Sequence, residues 1–509
     1  MSTLTEFFIM QNGALLAAVD LGSNSYRLEI GRLEHGHVHR TEYIKETIRQ
    51  GNGLDENRNL SLEAMQRGWD CLARFAERMS GLEKKNVRAV ATQTLREAKN
   101  RDLFLEQASV ILGFPIEVIS GREEARLIYQ GVSHLLPQSK ENRLVVDIGG
   151  RSTEIILGQN LNPSVMESYR TGSVAWSMKY FKEDVFSAAA FEKAEIAAKA
   201  VLDEAVTLYP KESWDQAYGS SGTIGAVCDV LFANGWNPDE ITRSGLAWLK
   251  KSLIRAGDSS NLRLEGLKDD RKAVIGGGIS VLKAVFDILE IDTMHYAHGA
   301  LRHGVLYDLI DREDEHYDVR SITITRLQKA FGVDTQQSKR VSLVANHLFD
   351  QLNIKETDQS EQSKLKKKLS WASDLHEIGM VISHSDYHKH GAYILDQSDT
   401  PGFTIPELHR LGLLVLGHRG KLRKLNINFD DEGFCQQLMC LRLAVILCHA
   451  RREPDYKNLK IKASKKSPKT VDLEISEQWI QAYPQSFHLL YIETQSWLKT
   501  SWDLKVNTH

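Results

Sequence analysis

From Ala14 to Leu136 short apolar runs alternate with amphipathic stretches, and glycine or a helix-capping residue marks each change of period. ALLAAV at Ala14 reads as a buried strand, and YRLEIGR with HVHRTEYIK as a hairpin pair. SLEAMQRGWDCLARFAERMSG reads as an amphipathic helix with Ser61 as its N-cap and Gly81 as its stop. VRAVAT and IEVIS are short strands, and helices are predicted at Asp102–Leu112 and Arg122–Leu136. A second block of the same kind runs from Arg143 to about Ile310, with strands at LVVDI, TEIILG and SVMESYR. The fold class is therefore α/β, in layers. Beyond Asp311 the pattern turns helical and His-rich from Arg320 to about Ala450, with KETDQSEQSKLKKKL as an exposed connection; from Lys457 a small α+β end follows. The expected domains are 1–136, 137–310, 311–455 and 456–509.

The two α/β blocks repeat one another. DLGSNSYRLEIG from Asp20 aligns without gaps on DIGGRSTEIILG from Asp147, matching Asp20 to Asp147, Gly22 to Gly149, Ser25 to Ser152 and Gly31 to Gly158. Each copy is a strand ending in Asp, a turn of small residues and a second strand, which predicts two similar subdomains facing a cleft.

The length, 509 residues, holds three or four domains' worth of core. With 42% hydrophobic and 26% charged residues, the chain is neither disordered nor fibrous. Lys plus Arg number 64 against 67 Asp plus Glu, a net charge of −3. That excludes a general nucleic-acid coat and confines any polyanion site to a local patch. Five cysteines without CxxC spacing encode neither a disulfide framework nor a zinc site, and a reducing cytoplasm is expected. No signal peptide is read at the N-terminus, and the most apolar stretch, around Val445, is interrupted by Arg442, so no membrane span is expected.

A turn of Gly and Ser directly after a strand lets backbone N–H groups converge on an anion, because no Cβ blocks the approach. Gly22, Ser23, Asn24 and Ser25 form one such turn, and Gly149, Gly150, Arg151, Ser152 and Thr153 the other. The carboxylates heading them, Asp20 and Asp147, suit a hydrated Mg²⁺ that neutralises phosphate charge. A third turn, with Ser221 and Gly222, opens a helix whose N-terminus favours anions; helix capping explains the same residues.

These loops resemble those of the actin, Hsp70 and sugar kinase superfold. AAVDLGSNSYRLEI, TQTLREAKN, EVISGREEARLIYQGV, LVVDIGGRSTEI and YGSSGTI, in that order, resemble the Ppx/GppA family of exopolyphosphatases and guanosine pentaphosphate phosphohydrolases over nearly the whole chain. LHEIGMVISHSDYHKHGAYIL further resembles the long bacterial exopolyphosphatases. The resemblance implies duplicated actin-like, ribonuclease H-like subdomains followed by an all-α HD-like domain and the small α+β end.

It also implies roles. Glu124 takes the position of the catalytic carboxylate, a general base for water; Glu123 reads as a first-turn helix acid favoured by the macrodipole. Asp147 and Glu154 match the second loop and its following acid, assigned to Mg²⁺ and water positioning, and Arg96 matches a basic position beside the phosphate. The family's IGGGSTE is IGGRSTE here. Arg151 would be strained by about 1 kcal/mol if that position needs a positive φ, or would add charge to the phosphate. The HD pair reads His376-Glu377, which leaves no working metal site expected there. His384, His388, His390, His409, His418, Lys389, Arg410, Arg419, Lys421, Arg423 and Lys424, with Lys457 to Lys469, read either as a polyanion track or as a solvated polar face.

The expected function is that of an exopolyphosphatase releasing orthophosphate from inorganic polyphosphate, Mg²⁺-dependent, with a homodimer as the assembly. Hydrolysis of guanosine pentaphosphate is the alternative. A binding-only sensor disabled by Arg151 and an ATP-dependent kinase of the same superfold are the rivals.

Overall fold

The computed structural model describes residues 12–311, 319–352, 359–398, 400–464, 467 and 469–508. Part of the connection expected at Lys355–Leu369, the chain just past Asp311, and Lys465 and Lys466 of the expected track lie outside the described residues. The chain divides into two compact units, one of residues 1–318 with 399–404, the other of 319–398 with 405–509.

The first unit contains two sheets built on one plan. In the first, β1 (Leu15–Leu21), β2 (Ser25–Glu34), β3 (His37–Thr47), β4 (Val87–Ala91) and β5 (Ile116–Val118) lie in the order β3-β2-β1-β4-β5. In the second, β6 (Asn142–Ile148), β7 (Thr153–Gln159), β8 (Asn162–Tyr169), β9 (Gln216–Ser220), β10 (Glu240–Thr242) and β11 (Thr293–Tyr296) lie in the order β10-β11-β9-β6-β7-β8. Strand for strand, β3-β2-β1-β4-β5 corresponds to β8-β7-β6-β9-β11, with the first pairs antiparallel and the rest parallel. The match extends to irregularity. Register shifts at Ile30/Gly31 against β3 and at Leu157/Gly158 against β8, at the glycines the repeat pairs. A Cβ at Gly158 would lie 2.5 Å from the Tyr129 ring, so the bulge is a place where the helix Gly121–His134 packs tightly on the sheet.

That helix starts because Ser120, in extended backbone, accepts a hydrogen bond from Glu123 N at 3.2 Å. Its apolar face, with Leu127, Ile128 and Val132, is buried together with Val145 and Ile156 of the second sheet and Leu16 and Ala18 of the first. It crosses the helix Leu301–Asp311 at Gly131 and Gly304, where a side chain on Gly304 would collide with Leu127 O. A second core, including Phe181, Phe186, Phe191 and Phe286, fills the other face of the second sheet.

The second unit is mainly helical and ends in a three-stranded sheet, β12 (Lys460–Ala463), β13 (Thr470–Ile475) and β14 (Asp503–Thr508). Arg442, the charge that breaks the apolar run around Val445, is buried against Glu493 at 2.7 Å and donates to Gly417 O at 2.6 Å. Trp497 and Trp502 are fully buried beside the end sheet. Among the described residues, no helix is long and apolar enough to cross a membrane.

Candidate active site

The two glycine-serine turns sit at the same end of their sheets and line one cleft of about 380 Å³ within the first unit. Gly22 has no room for a side chain, since a Cβ would lie 2.8 Å from Ser25 O; at Gly149 the same contact, to Ser152 O, would be 3.2 Å. Asp20, Gly22, Ser23, Asn24, Ser25, Glu124, Asp147, Gly149, Gly150, Ser152, Ser221 and Gly222 all line this cleft, as the sequence places them. Ser221 has φ of 90°, a left-handed value costing a residue with a side chain roughly 1–3 kcal/mol. Its hydroxyl donates to Ile148 O at 2.9 Å and accepts from Thr223 N at 3.2 Å, which fixes the third turn against the second.

Glu124 and Asp147 line the cleft, and a third carboxylate, Glu154, is buried close to both without lining it. Burial pushes Glu124 up to about 7, although Arg96 Nη2, donating to its Oε2 at 3.1 Å, pulls the other way. Burial likewise lifts Asp147 to about 6. Glu154 is raised well above the ordinary carboxylate range by burial, then by the charges of Glu124 and Asp147. Ser168 holds Glu154, donating to Oε1 at 2.7 Å, and a Cβ at Gly121 would lie 2.6 Å from the Ser168 side chain. One close contact thus brings the helix of Glu124 against the strand that positions Glu154. Asp20 differs, for Arg27 Nη1 donates to it at 2.9 Å.

The cleft lining also carries cations, which the sequence reading missed. Arg27, Lys45, Lys268, Arg271 and Arg302 line the cleft with Tyr43, Tyr296 and His298. Burial, then the charge of Arg271, presses the Lys45 ammonium down. Arg27, Lys45, the helix turn holding Lys268 and Arg271, and Arg302 lie far apart in the sequence and carry no local motif. The repeat held one signal: Arg27 aligns with Glu154.

Other expected residues sit elsewhere. Thr153 Oγ1 donates to Thr171 O at 2.6 Å inside the protein. Arg151 has no positive φ, and its guanidinium turns to Gly51 O and Glu97, each at 3.1 Å, instead of lining the cleft. The strain considered for it is absent. Glu123 is in the first helical turn as expected, and is also fully buried, bound by Arg126 at 2.8 Å and by Gly402 N at 2.6 Å, with Arg88 at 3.6 Å. Of the expected track in the second unit, His384, Arg419, Lys421 and Arg423 are exposed and His390 half-buried. His388 is buried, and burial followed by the Arg419 charge lowers its pKa, which works against a cationic imidazole. Glu377 is held by Arg451 at 2.6 Å and His376 by Ser373 O at 2.7 Å.

The model of the Ppx/GppA phosphatase family matches residues 30–313, and that of its domain III matches residues 319–493. A Vibrio atlanticus protein named guanosine-5'-triphosphate,3'-diphosphate pyrophosphatase is 39% identical over 497 residues, 97% of this chain and 98% of its own. The chain belongs to the Ppx/GppA phosphatase family. A Vibrio vulnificus protein of the same name is 38% identical over 98% of this chain and 99% of its own. The crystal structure of the Aquifex aeolicus member of the Ppx/GppA family is 25% identical with a TM-score of 0.51, covering 59% of this chain and 99% of that one. Membership makes the protein a phosphoanhydride hydrolase with the actin-like α/β fold and a C-terminal domain.

The comparisons also correct the expected substrate. The full-length relatives bear the guanosine pentaphosphate name, not that of an exopolyphosphatase, so the reading as an enzyme of inorganic polyphosphate is overturned. The loops could not have made this distinction, because both substrates end in the same phosphoanhydride.

Proposed function

We propose that this Ppx/GppA enzyme hydrolyses the terminal 5'-phosphoanhydride of guanosine 5'-triphosphate 3'-diphosphate, yielding orthophosphate and the tetraphosphate. The convergence of Glu124, Asp147 and the adjoining buried Glu154 at a cleft also lined by cations carries the chemistry; the relatives' name supplies the substrate.

The terminal phosphate lies between the two loops, where backbone N–H groups and the hydroxyls of Ser23, Ser25 and Ser152 meet its oxygens. Glu124 takes the proton from a water as its oxygen bonds to the terminal phosphorus. The bond to the bridging oxygen breaks, and that oxygen keeps its electron pair as part of the tetraphosphate. A carboxyl lifted to about 7 accepts such a proton at neutral pH and returns it readily. Arg96 keeps Glu124 aimed. Arg27, Lys45 and Arg271 counter the charge of the remaining phosphates, a ligand more anionic than a single phosphate.

Asp147 and Glu154 fit a Mg²⁺: they are hard oxygen donors buried close together, and Mg²⁺ needs only one or two carboxylates besides water and phosphate oxygens. When bound, Mg²⁺ neutralises charge on the phosphates. Asp20 serves this site less, because Arg27 already occupies it.

For the second unit we retain the HD-like helical reading, in which the His376-Glu377 pair, held by Ser373 and Arg451, stands where an HD motif would place His and Asp. Five free, buried cysteines support the cytoplasm as the compartment. Product analysis on purified guanosine pentaphosphate tests the function: orthophosphate and tetraphosphate in equal amounts support it, and release of pyrophosphate contradicts it.

A further inference from the structure

Arg151 lies outside the cleft lining, yet it is tied to the cleft by an unbroken chain of polar contacts. Its Nη1 donates to Gly51 O at 3.1 Å and its Nη2 to Glu97 Oε2 at 3.1 Å, with the two side chains of that ion pair only 22% and 15% exposed. The other oxygen of Glu97 accepts from Gln93 Nε2 at 2.7 Å. The amide oxygen of Gln93, a buried residue, accepts from Arg96 Nε at 3.0 Å. Arg96 in turn donates to Ile119 O at 2.7 Å and to Glu124 Oε2 at 3.1 Å.

The polarity of this chain is forced. A carboxylate only accepts and a guanidinium only donates, so the Gln93 NH₂ must face Glu97 and its carbonyl must face Arg96. Arg151 supplies the cation that holds Glu97 in place. Without it, Glu97 becomes a part-buried carboxylate lacking its ion-pair partner, one residue along the chain from Arg96, and competes with Glu124 for that guanidinium. Gly51 adds a second tether, since its N donates to Ser23 O of the first loop at 2.8 Å.

We propose that Arg151 is a positioning residue for the hydrolysis: through Glu97 and Gln93 it holds Arg96 on Glu124, and through Gly51 it ties the second phosphate loop to the first. The inference rests on the reading of Glu124 as the base.

Steady-state kinetics on guanosine pentaphosphate with the full-length protein tests it. Arg151→Ala lowers kcat about tenfold with KM within about twofold of wild type, because a misplaced Arg96 affects the reacting geometry rather than uniform binding. Arg151→Lys recovers much of the loss by restoring the charge. Adding Glu97→Gln to Arg151→Ala raises kcat again, since a neutral amide competes poorly for Arg96. A rise in KM with kcat unchanged would make Arg151 a substrate contact, and no change in either constant would make the chain idle. A deeper loss in the double variant, equal to the product of the single effects, would show that no relay exists. Each of these three results overturns the proposal. Should Arg151→Ala fail to fold, Arg151→Lys and Glu97→Gln provide the same comparison. Glu124→Gln assayed alongside keeps the claims apart: near-native turnover there removes the base, while the Arg151 and Glu97 variants stand or fall on their own kcat values.

Discussion

Arg27 and Glu154 occupy the same place in the two halves of the molecule, each directly across its strand pair from the aspartate that heads the loop. Asp20 pairs with Arg27 in one hairpin and Asp147 with Glu154 in the other. A single change of sign in a repeated frame thus gives the cleft one half with a neutralised aspartate and one half with paired carboxylates.

The metal dependence should follow that asymmetry. Asp147→Asn and Glu154→Gln are each expected to raise the Mg²⁺ concentration for half-maximal activity by about tenfold or more, because each removes a formal charge from a hard-cation site. Asp20→Asn should shift it less. Mg²⁺ titrations of all three check this, and equal shifts would show that Arg27 does not set Asp20 apart.

Activity should rise with pH through the range in which Glu124 loses its proton. Burial places that range near 7, and a base must be the carboxylate, so kcat/KM should fall roughly tenfold per pH unit below it. Arg96→Ala removes the contact that holds the value down and should move the limb to higher pH. A flat profile between about pH 5.5 and 8.5 would count against Glu124 as the base.

Crowding three carboxylates has a cost in stability. Their pKa values are raised on folding, so the folded protein binds more protons than the unfolded chain, and this contribution weakens stability as pH climbs through the raised values. Glu154→Gln should therefore stabilise the Mg²⁺-free protein by about 1 kcal/mol at pH 8, with a smaller gain at pH 5. Melting curves at the two pH values give the sign directly.

Glu123→Gln should behave in the opposite way. It breaks a buried ion network with Arg126 and Arg88, at a cost of about 3–5 kcal/mol by comparison with other buried pairs. Denaturant unfolding should show the loss, while the folded fraction keeps most of its kcat. Intact stability with lost turnover would place Glu123 in the chemistry.

Much of the cleft was legible because its loops are local. Asp20 to Ser25, Asp147 to Ser152 and the turn at Ser221 are contiguous stretches whose small residues have a backbone reason to be there, and the repeat doubled their weight. Glu124 was reached through its motif. The cations of the cleft were hidden because Lys45, the Lys268–Arg271 turn and Arg302 meet only through the folded sheets and helices. The partners of Arg151 and Glu123 were hidden for a related reason. A sequence shows an Arg in a glycine turn and an acid in a first helical turn, but not Glu97 waiting for the one or Arg126 and Gly402 enclosing the other. The substrate lay beyond the loops altogether, because the phosphoanhydride they hold is common to both candidates.

The most direct test of the account is single-turnover hydrolysis of guanosine pentaphosphate in ¹⁸O-labelled water, comparing wild type with Glu124→Gln. Water attacking the terminal phosphorus leaves one label in orthophosphate and none in the tetraphosphate, and Glu124→Gln should slow that step by about a thousandfold or more while still binding the nucleotide. Label in the tetraphosphate, or a Glu124→Gln rate near that of wild type, would contradict it.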